Sequence, residues 1–228
     1  MKKVIFWDFD GTLVKSNQSF LTSLLKALEE NKAAIPEEDC RRFLKSACSW
    51  YFPEKTYPGR TGVLWWQDLL QKLQIFSTAC SVPVDQISRI CSSFRRHVVS
   101  YPYLIYPDAL PALKLANDLG FENYILSNNF PELKQIVSDM GMRPYVKEVL
   151  LSSDLGAEKP NISLFSAALE RSGSPSLALM VGDNPIADIA GAKAAGMKTV
   201  LVHRDGPCQE ADWIFSSLLE IPPLLKTL

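Results

Sequence analysis

The sequence predicts an α/β fold: an open parallel sheet with helices on both faces, interrupted by an inserted all-helical segment. Three observations predict it. After Pro107, short apolar runs alternate with stretches of helical periodicity, the rhythm of parallel βαβ units. One further apolar run, residues 4–7, stands apart from these units, with no convincing strand in between. A lone strand cannot hide its own edges, so it must join the later sheet.

In order along the chain, residues 4–7 form a continuous apolar run, as in a strand covered on both faces. Met1-Lys2-Lys3 ahead of it imitates the start of a signal peptide, but Asp8 ends the run too early for a secretory h-region. Phe20, Leu21, Leu24, Leu25 and Leu28 repeat at helical spacing. Pro36-Glu37-Glu38 opens a second helix, with Phe43, Leu44 and Ala47 on its apolar side. Residues 63–75 and 84–99 complete the helical insert. Residues 108–119 then read as a helix ended by Gly120, 124–126 as a strand, and 133–140 as a helix ended by Gly141. Strands follow at 149–151 and 177–181, helices at 162–171 and 186–195, and further strands at 199–202 and 213–215. The expected organisation is a discontinuous Rossmann-like core of residues 1–15 and 104–228, with a helical cap of residues 16–103.

Composition narrows the function classes. Of the 228 residues, 47% are hydrophobic and 21% charged, an ordinary globule rather than a disordered chain. Lys plus Arg (24) nearly balances Asp plus Glu (25), so no charge excess points to nucleic acid or a membrane surface. No apolar run approaches the ~20 residues of a membrane span. The five cysteines are odd in number and never fall at C-x-x-C spacing, which suggests reduced thiols in a cytoplasm, with neither disulfides nor zinc. Two histidines cannot make a histidine-rich metal site. A monomer is the default expectation.

The chemistry collects where an open parallel sheet binds ligands, outside the carboxyl ends of its strands. The first strand runs into Asp8-Phe9-Asp10-Gly11-Thr12, and the second into Ser127-Asn128-Asn129. The third is followed by Lys159-Pro160, and the fourth runs into Gly182-Asp183 and, further on, Asp188. Singly, each of these is a common turn or helix cap. Together they suit phosphoryl transfer. Asp8 and Asp10 are two apart and point to one side of an extended chain, so one can attack phosphorus while the other handles the leaving-group proton. Asp8 and Asp183 can offer oxygens to Mg²⁺. Lys159 offers a positive charge to nucleophile and phosphate, and Ser127, Thr12 and backbone N–H groups offer donors to phosphoryl oxygens. Asp10 must reach the leaving oxygen protonated while Asp8 stays ionised, so their environments should differ.

These four motifs, in this order, resemble the haloacid dehalogenase-like hydrolase superfamily. The resemblance implies an aspartyl-phosphate intermediate on Asp8 and acid/base work by Asp10. It implies phosphate binding by Ser127, with Asn128 beside it, and by Lys159. It implies Mg²⁺ held by Asp8, Asp183 and the Asp10 backbone carbonyl, with Asp188 in support nearby or through water. The inserted helices look like the family's cap, a lid over the site. Asp10 argues against the dehalogenase and phosphonatase branches, which lack it, and Thr12 resembles the phosphatases. The sequence departs from the family where Asn161-Ile162 follows Lys159-Pro160 in place of an Asp-Pro pair, and Asn129 has no assigned task. The expectation is a Mg²⁺-dependent phosphatase of a small phosphorylated metabolite. The alternatives are a phosphomutase using the same site and a non-catalytic scaffold on the same fold.

In the insert, Trp50, Tyr51, Phe52, Tyr57, Trp65 and Trp66 read mainly as packing residues. Arg60, within Pro58-Gly59-Arg60-Thr61-Gly62, has two readings: a contact to the leaving group, or a surface arginine on a turn.

Overall fold

The computed structural model describes residues 2–203 and 210–228. Cys208 lies outside the described residues. The first strand, β1 (Lys3–Trp7), is followed by four helices, α1 (Ser19–Glu30), α2 (Glu37–Ala47), α3 (Val63–Ala79) and α4 (Val84–Val99). Next come α5 (Ala109–Asp118), β2 (Glu122–Ser127), α6 (Leu133–Asp139), β3 (Glu148–Leu151), the single turn α7 (Ser152–Leu155) and α8 (Ile162–Arg171). The chain ends through β4 (Leu177–Gly182), α9 (Gly191–Ala194), β5 (Lys198–Val202), β6 (Trp213–Phe215) and α10 (Ile221–Leu225).

All six strands are parallel, in the order β3-β2-β1-β4-β5-β6, so β1 sits in the interior although its partners come over a hundred residues later. Its alternating side chains explain why. Val4 and Phe6 pack on one face with Leu164, Phe165 and Ala168 of α8. Ile5 and Trp7 pack on the other with Leu113 of α5 and Leu133 and Val137 of α6. All four residues of the run are fully buried, each worth about 1.5–3 kcal/mol of transfer free energy. The Trp7 indole N–H donates to buried Asn123 Oδ1 at 2.9 Å, so the one polar atom of the run is not stranded. Register puts Trp7 beside Ile125 and Val181, which levels the strand ends that carry Asp8, Ser127 and Asp183.

Helices α1 to α4 build a core of their own around Leu24, Phe43, Leu73, Ile90 and Phe94. Phe130, from outside the insert, joins it fully buried, with its ring centroid 5.8 Å from Trp66 and 6.1 Å from Phe20, and Ile136 of α6 packs against the same core. Among the described residues, no helix is long and apolar enough to cross a membrane.

The single helix expected over 186–195 is instead a widened turn, Pro185–Ala190, followed by α9. The Asn184 side chain takes the N–H groups of Ile186 and Ala187, and the Ile189 N–H reaches back five residues to the Asn184 carbonyl. The wider turn carries Asp188 inward to a bond with Lys159, which accords with π-type turns occurring at functional positions.

Candidate active site

Asp8 leaves β1 almost fully buried, with its N–H donating to the Val181 carbonyl at 2.9 Å. Gly11 follows at φ +88°, where a Cβ would lie 2.5 Å from the Asp183 carboxylate. Only glycine lets these two strand ends close on each other. Gly182 does the same for Asp188: a Cβ there would overlap its carboxylate.

Lys159 is buried between two carboxylates. Its Nζ donates to Asp8 Oδ1 at 2.5 Å and to Asp188 Oδ1 at 2.6 Å. Burial pulls its pKa down, but Asp188 and Asp8 more than offset that and hold it above the ordinary lysine value. The ammonium therefore stays charged, as a buried charge can when paired and hydrogen-bonded. Burial pushes Asp188 up to about 7 against the pull of Lys159. Its other oxygen accepts the Asn184 N–H at 3.0 Å.

Asp10 has a different environment. Burial first, and the Asp8 charge second, raise its pKa to about 7. Two amides aim it: Asn17 Nδ2 donates to Oδ1 at 3.1 Å and Asn129 Nδ2 to Oδ2 at 2.8 Å. A carboxyl with a pKa near neutrality, beside a buried carboxylate bonded to lysine, is equipped to give and take a proton.

Asp8, Asp183 and Asp188 each offer a carboxylate oxygen, all within 4.8 Å of one another. An all-oxygen donor set of this kind fits a hard divalent cation such as Mg²⁺.

The carboxylates, Lys159 and Ser127 line a cavity of about 560 Å³. Its other wall is Asn17, Phe20, Trp50 and Pro53 from the insert, with Tyr103 where the chain returns to the sheet. Of the residues expected from sequence, Asp8, Asp10, Ser127, Asn128, Lys159, Asp183 and Asp188 all meet here. Asn128 is engaged in bracing: its amide donates to the Lys159 carbonyl at 3.0 Å and accepts the Lys159 N–H at 2.7 Å.

Two expectations are corrected. The Thr12 side chain, expected to offer a donor to phosphate, is instead fully buried outside the cavity lining, with its hydroxyl turned to Asp8 Oδ2 at 3.4 Å. Arg60 does not line the cavity. Its Nη1 donates to Asp68 Oδ2 at 2.6 Å and its guanidinium covers the Tyr57 ring at 3.9 Å, with the side chain only 14% exposed. A cation held by a carboxylate and a ring is not reaching for a leaving group. Sequence reasoning missed Asn17. Its signal, Asn two residues before a helix start, reads as a cap, and its Oδ1 does accept the Ser19 N–H at 2.9 Å while its Nδ2 turns to Asp10.

The family model for haloacid dehalogenase-like hydrolases matches residues 2–196. The chain belongs to this family. Haloacid dehalogenase-like hydrolase domain-containing protein 3 of Mus musculus is 25% identical over 239 residues, covering 99% of this chain and 94% of that protein. Pyrimidine 5'-nucleotidase YjjG of Escherichia coli is 39% identical over 108 residues, 44% of this hydrolase and 48% of the relative. Phosphoserine phosphatase of Thermus thermophilus is 34% identical over 122 residues, 53% and 48%. Against these last two, the hydrolase spans about half the length of the curated relatives it matches. The 2-haloacid dehalogenase from Pseudomonas syringae superposes with a TM-score of 0.75 over 100% of this chain and 99% of that one, at 21% identity, a likeness of fold alone.

Proposed function

We propose that this hydrolase is a Mg²⁺-dependent phosphatase of small phosphomonoesters, with Asp8 as nucleophile. An Asp8 oxygen attacks phosphorus as the bond to the leaving oxygen breaks, and Asp10 delivers its proton to that oxygen. The aspartyl-phosphate formed on Asp8 is then opened by water, whose proton returns to Asp10, releasing inorganic phosphate. Lys159 and Ser127 hold the phosphoryl oxygens and offset their charge. Mg²⁺, held by Asp8, Asp183 and the Asp10 backbone carbonyl with Asp188 in support, would supply further charge neutralisation for the phosphoryl group. The helices of residues 16–103 act as a cap that closes the cavity from above.

The observation that carries this reading is Asp10, raised to about 7 and aimed by Asn17 and Asn129. Displacing a halide needs no proton for the leaving group, whereas expelling an alkoxide does. The relatives named as phosphatases and a nucleotidase support the same class. The test is inorganic phosphate released from p-nitrophenyl phosphate and from a phosphometabolite panel, with Mg²⁺ and with EDTA. Release that needs Mg²⁺ and Asp8 supports the reading. Chloride release from a 2-haloacid with no phosphate release from any ester would replace it.

A further inference from the structure

The wall facing the catalytic carboxylates carries two aromatic rings whose positions are locked to the catalytic loop. Phe20 and Trp50 meet edge to face at 4.9 Å between centroids, and both are half-buried, with surface turned to the cavity. Behind Phe20 stand Phe94 and Phe130, each at 6.1 Å, so that ring has an aromatic backing.

Trp50 is tethered from the other side. Ser49, one residue before it, donates its hydroxyl to Glu158 Oε1 in a buried bond, and Glu158 is one residue before Lys159. Asn161 Nδ2 donates to the Pro53 carbonyl at 2.9 Å while Asn161 Oδ1 accepts the Ser163 N–H at the start of α8. An aspartate at 161 could cap the helix but could not donate to Pro53. The segment 49–53 is therefore pinned at both ends to residues flanking Lys159. Its indole is held at a set place relative to the phosphate-handling groups, a pre-organised surface for whatever the phosphoryl group is attached to.

A ring surface is recognised best by another ring, through stacking or edge contact. We infer that Phe20 and Trp50 form a leaving-group subsite for a planar heteroaromatic ring, and that the substrates belong to the class of nucleoside 5′-monophosphates. This rests on the phosphatase reading and adds to it the chemistry of the alcohol released.

The experiment compares a nucleoside 5′-monophosphate with ribose 5-phosphate, which presents the same phosphorylated carbon without the base. Expected is a kcat/KM about ten- to hundredfold higher for the nucleotide, the range of one base–aromatic contact. Trp50→Leu, which keeps apolar bulk but removes the flat face, should lower that ratio about tenfold, and Trp50→Phe should keep most of it. Calorimetry on the wild-type protein with the nucleoside against ribose reads the same subsite without any variant or turnover. A ratio near one in the wild type, or a ratio untouched in Trp50→Leu, overturns the inference while phosphate release leaves the phosphatase reading standing. Nucleoside binding without release of phosphate from any ester upholds the subsite and defeats the phosphatase reading instead. Equal affinity for nucleoside and ribose overturns the subsite in either case.

Discussion

The sheet end and the cap face each other across one cavity and are built on opposite principles. On the sheet side, the buried groups are charged: Asp8, Lys159 and Asp188 lie in contact, each nearly closed to solvent. Such a cluster is costly to bury and strongly destabilising to break, because removing one partner strands the others. On the cap side, the wall is rings and amides, which tolerate exchange of one neighbour for another. The charged cluster sits on strand ends, whereas the facing wall belongs to a segment whose core is its own apart from Phe130 and Ile136.

That contrast can be broken by substitution, beginning with the sheet side. Asp8→Asn should cut turnover by about a thousandfold or more on every phosphomonoester, since shape survives and the nucleophile does not. Single-turnover phosphate release measures it, and near-normal release would dissolve the distinction between the two walls. Next in size is the metal. EDTA should silence the wild type and Mg²⁺ restore it, while Asp183→Ala should raise the Mg²⁺ needed for half-maximal rate by at least about a hundredfold. Full activity in EDTA would remove the cation from the account.

Asp10→Asn should cost about 10²–10⁴-fold on an alkyl phosphate and much less on an aryl phosphate that leaves as a stable phenolate. It also carries a pH signature in the metal-free protein. The folded carboxyl holds its proton up to about pH 7, whereas the unfolded one releases it near pH 4. Wild-type stability therefore falls as pH rises between those values. The melting temperature of Asp10→Asn should exceed the wild type's by more at pH 8 than at pH 5. Equal differences at the two pH values would mean the carboxyl is ionised in the fold at both.

Asn129→Ala sharpens the comparison, because it leaves the acid in place and removes one of its two amides. A loss of about tenfold, confined to alkyl phosphates, is expected. The smallest effect belongs to the cap. Arg60→Ala should leave the ratio of kcat/KM between a nucleotide and a small aryl phosphate unchanged, while lowering Tm by about 2–4 °C through the lost contacts to Asp68 and Tyr57.

The sheet and its motifs were legible because period and chemistry coincide there. The run at 4–7 needed two covered faces and found them, and four strand ends with charged or amide and hydroxyl residues converged because parallel strands all end on one side. What escaped were decisions made by side chains distant in sequence or by unexpected backbone. Asp68 claims Arg60 from eight residues away, and nothing in the glycine-flanked loop announces it. Asn17 carries two bonds, and only the capping one has a local signature. The helix expected at 186–195 has the right apolar spacing, but Asn184 and Asp188 divert its first turns. Trp50 stands among five other aromatics that look alike in sequence, and what distinguishes it is the Ser49–Glu158 bond.

Phe130 follows Asn129 directly and spends its side chain inside the helical insert rather than in the sheet. Any tilt of the insert against the sheet must either withdraw that ring from its aromatic neighbours or drag the peptide that carries it. The amide gripping Asp10 is the next residue along the same peptide. The helical insert and the amide on Asp10 are therefore mechanically coupled: a shift of one is passed to the other through a single peptide bond.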